Sequence, residues 1–396
     1  MMAHKSDEVR KYKNMKKYFF LLSLFAVCSL TACGGDEAPV PPPVTPPEDP
    51  NPPSEPGGSS TPDDVTAFVR GADISWYTEM AADGRRFFNS AGQERECPVL
   101  MREIGMNAVR LRVWVNPEKK FCQFSDIADV TAKALAAKQA GLNVMIDFHF
   151  SDWWADPSRQ ETPAEWEGLS LEELKVKVAE HVRATLSSVT AQGVSVAWIQ
   201  IGNETRNGMM HPTGQLWNDQ GDLPGGWTKF VQLYMAGYDA AKEICPEAYV
   251  MPHLNHAYED NDWWFKRFKQ AGGKMDMIAL SHYPQADDAG QTWSALNSQA
   301  VTQIKRLAVA YAVPVMVSEF GVIQTNIMLG TQVANDFMTK VKALGSSVCA
   351  GVFYWEPQVY ANWKPSSYNT FGWSAYQMGA FSSDGRPSSI LDAWKQ

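Results

Sequence analysis

The chain has 396 residues, of which 45% are hydrophobic and 20% charged, and its formal net charge is −9. That length suits one large domain plus an export segment, and the balance is ordinary for a folded protein. The acidic surplus excludes a nucleic-acid binder, which needs a basic face to neutralise phosphates.

Met15 reads as the true start. Lys16 and Lys17 form a basic n-region, and residues 18–30 form an apolar run too short to span a bilayer. Residues 1–32 therefore read as a signal peptide. The run ends at Leu30-Thr31-Ala32-Cys33, which resembles a bacterial lipobox. Cys33 is then the lipidated mature N-terminus, holding the protein on a membrane by acyl chains alone. An ordinary cleaved signal with an incidental Cys is the alternative. Gly34-Gly35-Asp36-Glu37 resembles the acidic surface-export tags of Bacteroidetes lipoproteins. An exported lipoprotein is expected, on the outer membrane or cell surface of a Gram-negative bacterium.

Residues 33–64 read as a disordered Pro-rich linker. Ala38 to Pro62 holds 11 of the 24 prolines, a composition that favours extended chain and cannot bury a core. A single domain then occupies 65–396. No CxxC or His/Cys cluster suggests zinc. Cys97 and Cys122 are close enough in sequence for a disulfide in an oxidising compartment, but free thiols fit as well.

Within the domain, apolar runs of strand length alternate with helical periodicity. The runs are Phe68–Ile74, Ala108–Val115, Asn143–Phe150, Val196–Gly202, Tyr249–Leu254, Met277–Ser281, Pro314–Ser318 and Gly351–Trp355. Helical patterns cover Val130–Ala140, Leu171–Gln192, Gly226–Ile244, Trp263–Ala271, Trp293–Ala312 and Thr331–Leu344. Eight such units predict an α/β fold, a single (β/α)₈ TIM barrel. An open doubly wound sheet would want a Gly-rich phosphate loop after the first strand, which Gly71-Ala72-Asp73 lacks.

Active sites in such barrels sit at the C-terminal strand ends. Here all eight ends are polar or aromatic: Asp73 and Ser75; Arg112 and Trp114; Asp147 and His149; Asn203 and Glu204; His253 and Asn255; His282 and Tyr283; Glu319; Trp355 and Glu356. Buried polar groups cost free energy unless partnered, so eight such ends point to function. Aromatic residues make up 12%, with 15 tryptophans between Trp76 and Trp394; indoles beyond core needs suit a cleft where pyranose faces stack. Glu204 and Glu319 each close an apolar strand, the fourth and the seventh. Two carboxyls about 5–5.5 Å apart suit retaining glycoside hydrolysis, one protonated and one ionised.

Asn203-Glu204 with Glu319 resembles the retaining "4/7" barrels, clan A of the glycoside hydrolases. The segment His149-Phe150-Ser151-Asp152-Trp153-Trp154-Ala155-Asp156-Pro157-Ser158-Arg159-Gln160 resembles a motif of family 53, the arabinogalactan endo-β-1,4-galactanases. Further matches are Gly71–Ser75, Asn107–Trp114, Gln200–Glu204, Ser281-His282-Tyr283-Pro284 and Tyr354-Trp355-Glu356-Pro357. The resemblance implies Glu204 as acid/base and Glu319 as nucleophile. It implies that Asn203 meets the sugar 2-hydroxyl, that Arg112 and Tyr283 orient the nucleophile, and that Trp355 stacks at the cleaved bond. Asp73, Asp147 and His149 would line the floor, with His282 beside them. The implied substrate is β-1,4-galactan.

Some relatives carry Glu-Thr-x-Tyr-Pro where this chain has Glu319-Phe320-Gly321, and Gln285-Ala286-Asp287-Asp288 also departs from the family pattern. Some bacterial members bind calcium after strand seven. Gly321 to Gly330 offers no run of oxygen ligands, so no calcium site, no other metal and no required cofactor is expected. Glu356 reads as a structural or sugar-hydroxyl contact. His149 is expected to hydrogen-bond substrate, and one of Trp153 and Trp154 to stack on it. A monomer is expected. The rivals are another clan A endo-glycanase, a mannanase or cellulase, and a non-catalytic glycan-binding lipoprotein.

Overall fold

The computed structural model describes residues 66–117, 122–285 and 290–395. The export signal, Cys33, the linker to residue 64 and the 286–288 stretch lie outside the described residues. The apolar runs form eight strands: β1 (Val69–Asp73), β2 (Ala108–Val113), β3 (Asn143–Phe148), β4 (Val196–Ile201), β5 (Tyr249–Met251 and His253–Leu254), β6 (Ile278–His282), β7 (Val315–Phe320) and β8 (Cys349–Trp355). Neighbours pair in parallel, and β8 returns to β1. The two halves of β5 close the ring, the first pairing with β4 and the second with β6. Pro252, between them, has no N–H to donate, yet its carbonyl accepts from Ala279 N at 3.0 Å.

The connecting helices are α1 (Tyr77–Ala82), α2 (Cys97–Ile104), α3 (Ile127–Gln139), α4 (Leu171–Ala191), α5 (Gly226–Ile244), α6 (Asp262–Gln270), α7 (Trp293–Tyr311) and α8 (Ile327–Lys342). Their starts follow capping chemistry. Asp126 caps α3, Ser170 and Glu173 form a capping box on α4, and Thr292 caps α7. The last helix starts four residues ahead of the sequence pattern because Asn326 accepts from Leu329 N at 3.0 Å.

Strand alternation sorts side chains into two apolar layers. Outward residues pack under the helices in one continuous core. Inward residues at the barrel bottom form a second cluster, including Met145, Trp198, Met251, Met316 and Phe353. Each fully buried side chain of this size contributes about 1.5–3 kcal/mol. Gly71 is required here, because a Cβ on it would lie 2.2 Å from the Phe353 ring. The barrel is thus plugged below, and the polar strand ends form the layer above.

Cys97 and Cys122 are free thiols, so the bridge is not formed. Cys97 packs in the outer core while the Cys122 thiol meets the Phe124 carbonyl at 3.6 Å. Burial keeps both protonated, pushing Cys122 up to about 11.

Candidate active site

β2 places two arginines on its inner face, one turn of the pleat apart. Arg110, above Ala108 of the bottom cluster, is the centre of the site. Its Nη1 donates to Asp73 Oδ2 at 2.7 Å. Its Nη2 lies 2.8 Å from Asp147 Oδ2, 3.0 Å from Glu319 Oε1 and 2.9 Å from Asn203 Oδ1. One guanidinium therefore serves three carboxylates from β1, β3 and β7.

Glu319 reaches this position through a β-bulge. Leu280 faces Val317 but Ser281 faces Glu319, so Ser318 is an extra residue. Met316 points into the barrel and Val317 outward. Plain alternation would turn Glu319 toward the helices. The bulge reverses the parity, sending Glu319 inward and Phe320 outward against Phe337 and Trp394. Both carboxylate oxygens are then held: Oε1 by Arg110, and Oε2 by the Tyr283 hydroxyl, which donates at 2.8 Å. Burial pushes Glu319 up to about 7, against the downward pull of Arg110 and Tyr283.

Glu204 follows β4 after a sharp turn. Gly202 has φ 84° and Glu204 itself φ 47°, in the left-handed region that favours glycine. Local bonds fix the turn. Glu204 N donates to His253 Nδ1 at 3.2 Å and Thr205 N to the His253 carbonyl at 2.8 Å. The Gln160 amide donates to the Asn203 carbonyl at 2.8 Å. Glu204 is half-buried and Glu319 buried. The Tyr283 phenol is raised first by burial and then by Glu319, with Glu204 adding to it, so both carboxylates lie within electrostatic range of one hydroxyl.

The remaining residues form a second layer of contacts. Asp73 Oδ1 accepts from Ser75 N and Oγ. Burial opposes the charge on Asp147, but Arg110 and His149 outweigh it and hold its carboxyl below the usual range. The Asn203 amide is held at both ends, by Arg110 on Oδ1 and by the Ala155 carbonyl, 2.8 Å from Nδ2. His253 Nε2 donates to Ser281 Oγ at 2.8 Å, and burial keeps this imidazole neutral.

Four expectations are corrected. Arg112 does not touch Glu319; it lies 3.3 Å from Glu356 and 4.2 Å from the Trp154 ring centre. Arg110, passed over in the sequence, takes the nucleophile-orienting place. His149 has no nitrogen spare for sugar: Nε2 pairs with Asp147 at 2.9 Å and Nδ1 accepts from Ala155 N at 3.1 Å. His282 points outward, bonding Asn297 on α7 at 2.9 Å and lying 4.5 Å from the Phe337 ring. Trp153 is packed among rings, stacked on Trp373 at 4.8 Å.

Trp355 stays partly exposed at the end of β8, 5.1 Å from Trp76 and 4.6 Å from Tyr376. Glu356 is fully buried, with φ 50°, and accepts from Trp76 N at 3.1 Å. Burial, then Asp73, push it up to about 8. It is a structural anchor rather than a sugar contact.

A closed parallel barrel with carboxylates at the ends of β4 and β7 defines a glycoside hydrolase. A profile of glycosyl hydrolase family 53 matches residues 69–330, and the chain belongs to that family. It is similar to the endo-beta-1,4-galactanase of Bacillus subtilis, at 27% identity over 73% of this chain and 70% of that protein. The arabinogalactan endo-beta-1,4-galactanase of Thermothelomyces thermophilus is 30% identical over 73% of this chain and 89% of its own. Among solved structures, the Ignisphaera aggregans GH53 catalytic domain superposes with a TM-score of 0.72 at 25% identity, covering 85% of this chain and 97% of that one.

Proposed function

We propose that the chain hydrolyses internal β-1,4-galactosidic bonds of galactan and type I arabinogalactan by double displacement. The observation that carries this reading is the grip on Glu319: one oxygen on Arg110, the other on Tyr283, at the mouth of the barrel. A carboxylate so fixed can attack the anomeric carbon, and Arg110 and Tyr283 favour its ionised form against the upward push of burial. Glu204, half-buried across the mouth, donates its proton to the departing glycosidic oxygen. The bond from C1 to that oxygen breaks as the bond from C1 to Glu319 forms. Glu204, now ionised, takes a proton from water; the water oxygen bonds to C1 and Glu319 leaves. Two carboxylates, sugar and water supply every atom, so the reaction calls for no cofactor.

The test has two parts. Reducing ends are measured from galactan, arabinogalactan, mannan and carboxymethylcellulose with purified domain; cleavage of mannan with galactan untouched would retire the substrate. Glu319→Ala and Glu204→Ala are then assayed with azide on an aryl galactoside. The first is expected to give the α-azide and the second the β-azide, and the reverse would exchange the roles. Glu204→Gln is expected to lower kcat/KM on galactan by about 10²–10⁴-fold.

Export and lipidation at Cys33, attachment to the cell surface and a monomeric state belong to the same proposal. The Leu30-Thr31-Ala32-Cys33 tetrad supports export and lipidation. Labelled palmitate that still enters a Cys33→Ala chain would remove the anchor.

A further inference from the structure

Six of the 15 tryptophans keep some exposure: Trp217, Trp227, Trp263, Trp293, Trp355 and Trp373. Trp355 ends β8 and Trp373 follows it. Trp217, Trp227 and Trp263 gather beyond β4 and β5. In an eight-stranded ring β8 and β4 are opposite, so partly exposed indoles stand on both sides of the mouth. Glu204 follows β4, and Glu319 lies on β7, the neighbour of β8.

The second group is built rather than incidental. Trp217 begins a short hairpin in which it pairs with Asp222. The Asn207 side chain, three residues beyond Glu204, holds the Trp217 backbone twice, accepting from its N–H at 2.9 Å and donating to its carbonyl at 3.1 Å. Trp263, in the first turn of α6, lies 5.9 Å from Trp217, ring centre to ring centre. Trp227 supports Trp263 edge-on at 6.4 Å. An ion pair of 2.8 Å between Arg267 of α6 and Asp222 latches hairpin to helix. The position of Trp217 is thereby tied to the turn that presents Glu204.

We propose that Trp217 and Trp263 form a platform for the galactosyl units on the leaving-group side of the chain. The acid/base protonates the oxygen that departs, so the leaving sugars pass on the Glu204 side. β-Galactose has an apolar C–H face, because its axial 4-hydroxyl leaves C3, C4 and C5 hydrogens together on one side. That face stacks on indole. This inference rests on the galactanase reading.

Trp217→Leu and Trp263→Leu keep apolar bulk and remove the ring; Trp217→Phe and Trp263→Phe keep a ring. Each is measured on galactan and on a nitrophenyl β-galactobioside, whose leaving group carries no galactosyl unit. The Leu variants are expected to raise KM for galactan about tenfold more than KM for the galactobioside, one stacking contact's worth. The Phe variants recover most of that difference. Retardation in a galactan-containing gel, with Glu319→Gln in the same chain, falls for Leu and persists for Phe. Equal losses on both substrates, or unchanged retardation in the Leu variants, would overturn the proposal. Wild-type protein that leaves galactan uncut would sink the galactanase reading instead.

Discussion

Arg110 holds Asp73, Asp147 and Glu319 around one charge, and all four groups are buried. Removing one partner of a buried ion pair costs about 3–5 kcal/mol. Arg110→Met is therefore expected to lower the urea midpoint sharply, while Arg112→Met leaves the Glu319 contacts in place. The burial of Glu319 sets pH behaviour. Glu319 works ionised, and burial has pushed it up to about 7. The acidic limb of kcat/KM is expected near pH 7 rather than near the ordinary carboxylate value. Tyr283→Phe removes a bond that favours the ionised form, so its limb moves higher. A limb that stays put or moves down in that variant would contradict the assigned role.

Legibility at this scale was uneven. Glu204 and Glu319 stood out because each ends an apolar run. Arg110 and Arg112 share one face of β2, so alternation cannot say which reaches the nucleophile; depth in the barrel decides. His282 was separable in principle. Ala279 is in the inner cluster, so its alternation turns Ser281 inward and His282 out. The burial of Trp153 depends on Phe371 and Trp373, more than 200 residues away along the chain.

Among elements, the strand order was readable because apolar runs and helical periods alternate eight times. The bulge in β7 was not. Pro314 to Phe320 is an ordinary apolar strand by composition, and the register slip depends on pairing with β6. Close packing of β1 on β8 gives a sharper test of the bottom layer. Gly71→Ala places a methyl against the Phe353 ring. Overpacking typically costs about 1–3 kcal/mol, and the upper end is expected here, read from thermal unfolding. Phe353→Leu in the same chain should return part of that loss; a second, additive loss would place the strain elsewhere.

For the whole molecule, three buried glutamates share one tendency. Burial leads in raising Glu79 and Glu319 to about 7 and Glu356 to about 8. A carboxyl raised in the folded state contributes stability below its unfolded value, near 4.5, and loses it as pH rises through the folded value. The domain is therefore expected to lose Tm between pH 5 and 8 through these groups. Glu356→Gln, which cannot titrate, is expected to flatten the alkaline part of that decline. An unchanged slope from pH 6 to 9 would show Glu356 already ionised.

The loop after β3 has a wider consequence. Through Gln160 and Ala155 it grips the backbone and amide at Asn203, so the proton donor's perch belongs partly to a neighbouring strand's connection. Loops on this barrel are consequently not interchangeable parts. Transplanting the 149–160 segment from a distant homologue, to retune which polymers are cut, would disturb the donor's aim unless its own partner residues travelled with it.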